Sequence, residues 1–227
     1  MAGVLYGVSV GPGDPELITF KAVRLIEKCG VIAVPRTKGE NMLALSIAEQ
    51  AADITGRTIV PLDFTMSRDK DVLRRSHEDI ARKLMGYLES EDVAMLSLGD
   101  ISVYSTFSYI AEIVRQNGYG AEICPGVTSF CAAAAAAGRP LVTGNDSLTI
   151  LPENNDEFML KMAQNGTKVI MKSRKSAEKI KSVLAENGLT DKTYAVELCG
   201  MKNQKIYSDI NELTEDCSYF TTIIAGE

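Results

Sequence analysis

No two of the five cysteines, Cys29, Cys124, Cys131, Cys199 and Cys217, form a CxxC pair or sit in a Cys/His cluster, so neither a zinc site nor a redox couple is expected. Widely spaced thiols of this kind suit a reducing compartment, with most of them in the core. Positive charge is also short. The 24 Lys and Arg face 30 Asp and Glu for a net charge of −6, which disfavours non-specific binding to nucleic acid or to an anionic membrane. No apolar run approaches membrane-spanning length, and the first residues lack a charged segment followed by an apolar one of signal length. Export is therefore not expected, and the cytoplasm is. The only histidine, His77, lies in the charged stretch DVLRRSHEDIARKL. It reads as a surface helix position in preference to a metal ligand, and no metal site is expected.

What remains is an ordinary globular composition, 45% hydrophobic and 24% charged over 227 residues, long enough for a real core. Apolar runs at 4–10, 31–34, 58–61, 93–98 and 121–124 alternate with helical patterns at 15–28, 41–52, 70–89 and 107–117. The runs are continuous rather than alternating, as in a parallel sheet covered on both faces. After CPGVTSFCAAAAAAG the rhythm changes. A closely packed alanine-rich helix at 128–137 precedes strands at 148–151, 168–171, 192–197, 204–208 and 219–225, with helices at 156–164 and 176–187. The expected architecture is α/β in two domains, 1–127 with a mainly parallel five-stranded sheet and 128–227 with a mixed sheet.

The first strand runs into Gly11-Pro12-Gly13-Asp14, a glycine turn of the kind that often cradles phosphate. It matches neither phosphate pattern. No Lys-Ser or Lys-Thr follows, and the third glycine of GxGxxG is missing. Asp14 at the N-cap with Pro15 at N1 should begin the helix 15–28. That carboxylate would fill the positive helix end where a phosphate binds, and Glu16 adds a second charge. The turn suits a neutral or cationic ligand. Two more turns follow predicted strand ends, LSLGDISVYSTFSYI with Gly99 and Asp100, and ICPGVTSF with Pro125 and Gly126. All three bear glycine, none carries Lys or Arg, and open parallel sheets bind ligands outside their carboxyl ends. One cleft is expected.

VGPGDPELIT, GDISVY, CPGVTS and the later CGMKNQKIY, taken in order, resemble the tetrapyrrole (corrin/porphyrin) methylase family across nearly the whole chain. GDISVYSTFSYI with VPRTKGENMLALSIA is most similar to its precorrin-2 C20-methyltransferases, the cobalt-factor II enzymes included. The resemblance implies a homodimer that binds S-adenosylmethionine between two α/β domains. It implies methyl transfer to C20 of precorrin-2 or its cobalt complex in cobalamin biosynthesis. By motif it places Pro12, Leu98, Gly99, Asp100, Val103, Thr128 and Ser129 at the cofactor, with Met171, Lys172, Gly200 and Met201 from the second domain. Tyr104 is the expected polar group near the acceptor carbon.

A polycarboxylate acceptor demands local positive charge on an acidic protein. VPRTKGEN and DFTMSRDK supply Arg36, Lys38 and Arg68 after predicted strands. Competing readings are a family member with another acceptor (another corrin carbon, an rRNA ribose or a modified protein side chain), a nucleotide-dependent oxidoreductase, and a non-catalytic binding module. The acidic charge opposes RNA, the Asp14 cap opposes nucleotides, and three converging turns oppose the binding module.

Overall fold

Short apolar runs bounded by glycine and polar turns build two separate sheets. The computed structural model describes residues 2–36, 42–65, 67 and 69–226, and the chain divides into the units Met1–Thr128 and Ser129–Glu227. In the first unit β1 (Val4–Ser9), β2 (Val31–Arg36), β3 (Thr58–Asp63), β4 (Val93–Ser97) and β5 (Gly120–Cys124) take the order β3-β2-β4-β1-β5. Every pairing is parallel, as the continuous apolar runs require.

Helices α1 (Phe20–Lys28) and α2 (Leu43–Ala48) bury Ala22, Ile26, Leu45 and Ile47 against one face of this sheet. Helices α3 (Lys70–Leu88) and α4 (Phe107–Gln116) bury Leu84, Leu88, Phe107 and Ile110 against the other. A Cβ at Gly7 would lie 2.6 Å from the Phe107 ring, so this glycine lets α4 seat on β1. The chain leaves β1 towards β2 over one face, and leaves β4 towards β5 over the opposite face. A topological switch point therefore falls between the neighbours β1 and β4.

The helix expected over 15–28 is broken. Asp14 accepts from the Glu16 amide at 2.9 Å and caps only a 3₁₀ turn, Pro15–Leu17. Ile18 and Thr19 are extended, and α1 starts afresh at Phe20 with Thr19 Oγ1 accepting from the Ala22 amide at 3.2 Å. Two good caps five residues apart produce two starts. The helix expected over 41–52 shortens to α2, after which Gln50 and Ala51 donate three residues back and tighten the chain into turns.

In the second unit α5 (Ser129–Ala136), β6 (Leu148–Pro152), α6 (Phe158–Met162), β7 (Thr167–Met171), α7 (Ala177–Glu186), β8 (Thr193–Glu197), β9 (Lys205–Tyr207) and β10 (Thr221–Ala225) follow one another. Its sheet has the order β6-β7-β10-β8-β9, with β6 and β7 parallel and the other pairs antiparallel. Because β10 runs against both of its neighbours, β6, β7 and β8 end on one rim. Phe158, Met162, Ile180 and Leu184 pack on Ile170, Ala195 and Ile223 beneath it. Four cysteines are buried and Cys131 is exposed. Burial pushes the Cys29 thiol up to about 12, which marks it as a packing residue, not a nucleophile.

Candidate active site

The turns after β1, β4 and β5 are tied together where β1 and β4 diverge. Ser9 and Ser97 are level at the ends of these strands. Beyond them Gly99 N donates to Gly11 O at 2.7 Å, an antiparallel bridge between two loops that leave a parallel pair. Gly11 (φ 74°) and Gly99 (φ 69°) are both left-handed, a conformation that costs a side-chain-bearing residue about 1 kcal/mol or more.

Ser9, fully buried, joins all three turns. Its Oγ donates to Cys124 O at 2.8 Å and accepts from the Ile101 amide at 2.9 Å. Asp100 makes the second strap. Oδ2 accepts from the Gly126 amide at 2.8 Å, while Oδ1 accepts from the Ser102 amide at 2.7 Å and from the Ser102 hydroxyl. A Cβ on Gly126 would stand 2.5 Å from Ser9 Cβ and 3.1 Å from Gly99 O, so glycine is what allows the β5 turn to close on the other two. Burial alone would raise the Asp100 pKa, but the bonds from Ser102 and Gly126 outweigh it and hold the carboxyl below its ordinary value.

The sequence-nominated residues can now be placed. Pro12 is buried in the first turn; Leu98, Gly99, Asp100, Val103 and Tyr104 share the second. Asp100, nominated as a cofactor partner, has both oxygens engaged within the chain. Tyr104 is 46% exposed and holds φ 50°. Thr128 closes the first unit, and Ser129 opens α5 with its hydroxyl accepting from Thr222 Oγ1 at 3.4 Å.

In the second unit Met171, Lys172, Gly200 and Met201 fall on the one rim where β7 and β8 end. Leu198 N donates to Phe220 O, Met201 N to Leu198 O, and Gly200 N to Gln204 Oε1 at 2.7 Å. Burial lowers the Lys172 ammonium's pKa although the residue as a whole is exposed. Among the described residues the non-glycine positions with left-handed φ are Tyr104, Lys172, Lys175 and Leu198. All lie in segments that follow β4, β7 or β8, and strain of this kind concentrates at functional sites.

Arg36 ends β2 on the carboxyl side of the first sheet, but its guanidinium is committed to Asp63 on β3 by bonds of 2.8 and 2.7 Å. Lys38 and Arg68 lie outside the described residues. His77 is half-buried on α3 and stacks on Tyr109 of α4, with ring centroids 5.1 Å apart. A surface cavity of about 490 Å³ beside β3 and α3 is lined by Asp63, Thr65, Arg75 and Lys83 among others, with no nominated residue among the described ones. It lies at the far edge of the sheet from the tied turns.

Sequence reasoning missed Ser9. Its only signal was a hydroxyl inside the apolar run VLYGVSV. The electrostatics fit a sulfonium-bearing donor. The three turns hold no Lys or Arg, and the carboxylate buried among them is ionised at neutral pH. Asp14 caps the 3₁₀ turn and not α1, so the negative charge that opposes phosphate here comes from Asp14, Glu16 and Asp100 together and not from a filled α1 N-terminus.

A family model for tetrapyrrole (corrin/porphyrin) methylases matches residues 4–214. A "probable cobalt-precorrin-2 C(20)-methyltransferase" of Methanocaldococcus jannaschii is 37% identical over 177 residues, 78% of this chain and 75% of that protein. The cobalt-precorrin-2 C(20)-methyltransferase of Salmonella typhimurium is 30% identical over 235 residues, covering 100% of this chain and 98% of its own. Among solved structures, a uroporphyrin-III C-methyl transferase of Thermus thermophilus complexed with S-adenyl homocysteine superposes with a TM-score of 0.72 at 21% identity, covering 99% of this chain and 92% of that one. That likeness bears on the fold.

Proposed function

Since this chain belongs to the tetrapyrrole (corrin/porphyrin) methylase family, we propose that it transfers a methyl group from S-adenosylmethionine to C20 of precorrin-2 or of its cobalt complex, in cobalamin biosynthesis. The observation that carries the reading is the pair of straps, Ser9 and Asp100, that fix three cation-free turns at the β1/β4 switch point. The names of the two C20-methylating relatives supply the acceptor.

S-adenosylmethionine, when bound, supplies a methyl already activated on a sulfonium, so the protein's work is alignment and exclusion of water. Pro12, Leu98, Gly99, Val103 and Thr128 hold the donor through backbone and small side-chain contacts, and Asp100 keeps their turns in place while adding negative potential. By the family pattern Ser129, Met171, Lys172, Gly200 and Met201 are further contacts. Tyr104, 46% exposed in the turn after β4, offers its Oη to the acceptor, and Lys38 and Arg68 offer positive charge to the acceptor's carboxylates, whereas the Arg36 guanidinium is already held by Asp63. The active form is a cytoplasmic homodimer that binds neither nucleic acid nor membrane. The dimer is what the family resemblance implies, and the net charge of −6 opposes nucleic acid and anionic membrane surfaces.

Calorimetry with S-adenosylhomocysteine and with NAD, followed by anaerobic turnover of metal-free and cobalt-loaded precorrin-2, tests the proposal. Binding of the homocysteine product and a gain of one methyl at C20 are expected. Binding of NAD alone, or methylation at another carbon, would overturn it.

A further inference from the structure

The segment between β7 and α7 reads Lys172-Ser173-Arg174-Lys175-Ser176, three cations in four residues on a chain of net charge −6. Two of the three sit in left-handed backbone, Lys172 at φ 61° and Lys175 at φ 63°. A lysine in this conformation is strained, and glycine would relieve it. Between them Ser173 is fully buried, and its hydroxyl has no hydrogen-bond partner among the described residues.

The carboxylates that touch the ends of this segment are already engaged. Glu153, whose amide donates to Met171 O, pairs with Lys179 at 2.6 Å, and Glu215 accepts from the Glu178 amide at the start of α7 at 2.9 Å. The side chains of Arg174 and Lys175 make no ion pair or hydrogen bond among the described residues. Neither does Lys202, which follows the Leu198–Met201 turn on the same rim. Arg36, by contrast, already has Asp63 as its partner.

We propose that the 172–175 loop is an acceptor-carboxylate site: Arg174 takes one carboxylate of the tetrapyrrole through its planar fork, and Lys175 and Lys202 add point charges beside it. This rests on the methyl-transfer reading above and deepens it, because it assigns acceptor affinity to the second sheet's rim. Recognition of this kind is electrostatic and exposed, so it weakens with salt.

The test compares wild type, Arg174→Ala/Lys175→Ala, the charge-conserving Arg174→Lys/Lys175→Arg, and Lys192→Ala, which removes one charge just before β8 at the opposite end of that strand. Two readouts are taken: equilibrium binding of uroporphyrin, a fluorescent polycarboxylate porphyrin, and KM and kcat with precorrin-2. The double alanine variant should weaken porphyrin binding and raise KM by about tenfold. Its salt dependence should become shallower, while kcat and S-adenosylhomocysteine affinity stay unchanged. The charge-conserving pair, which keeps both charges but removes the fork at 174, should restore the salt dependence and only part of the affinity, and Lys192→Ala should behave as wild type. Unchanged porphyrin binding and KM in the alanine variant would overturn the proposal, as would an equal loss in Lys192→Ala. A wild type that binds uroporphyrin through these residues but does not methylate precorrin-2 would instead overturn the C20 assignment and leave the loop's role standing.

Discussion

Replacing Asp100 by Asn keeps the volume and removes the charge that straps the β4 turn to the β5 turn. An amide presents one acceptor oxygen where the carboxylate presents two. The bonds to Ser102 lie on an exposed residue and can be taken over by water. The bond to the half-buried Gly126 amide cannot, and whichever way the amide turns, one strap is lost or faces N–H against N–H. A charge-assisted bond of this type is worth about 2 kcal/mol. Urea unfolding of Asp100→Asn at neutral pH should show the first unit weakened by about that amount. S-adenosylhomocysteine affinity, measured by calorimetry, should fall by no more than the same energy, about thirtyfold, since the strap acts by prepaying the order of the turns.

The pH dependence has a definite sign. Asp100's pKa is lowered on folding because hydrogen bonds outweigh burial, so its stabilisation is present above the ordinary aspartate value of about 4 and is lost as pH falls through the lower folded value. The gap between wild type and variant should therefore close in acid. Unchanged stability and affinity in the variant would refute the strap. A much larger affinity loss with intact stability would show that the carboxylate touches the ligand directly.

Gly126→Ala should destabilise the first unit by about 1–3 kcal/mol, because the new Cβ meets the buried Ser9 Cβ at 2.5 Å; a melting curve that does not move would contradict the close approach. In the second unit, burial and then the 2.6 Å hydrogen bond to Glu197 push the Tyr207 hydroxyl up to about 12. This contribution to stability is complete below the free tyrosine value of about 10 and is lost as pH rises towards the folded value. Glu197→Gln should lower the tyrosine's titration in an ultraviolet difference experiment and narrow that alkaline window; an unaltered titration would dissociate Glu197 from Tyr207.

The parallel sheet was legible because each of its strands is an unbroken apolar run, which suits only a position covered on both faces. Strand order was not, since nothing local in Val93–Ser97 says that it lies between β1 and β2. The start of α1 was misplaced because Asp14 and Thr19 are both competent caps, and only tertiary packing decides which one begins the long helix. The three glycine turns could be read as a set, but their cross-links could not. Ser9 joins partners 92 and 115 residues away, beyond the reach of any short pattern. The charges of Arg174 and Lys175 were visible in the sequence, whereas the left-handed backbone beside them was not.

Thr221–Ala225 is the last strand in chain order of its sheet and yet lies at its centre. A nascent chain emerging from the ribosome can complete β1 to β5 once Cys124 has been made, but until Ile223 arrives the later segments can form only the separate pairs β6–β7 and β8–β9. The unit that carries the basic loop thus assembles in a single late step, once its central strand has emerged.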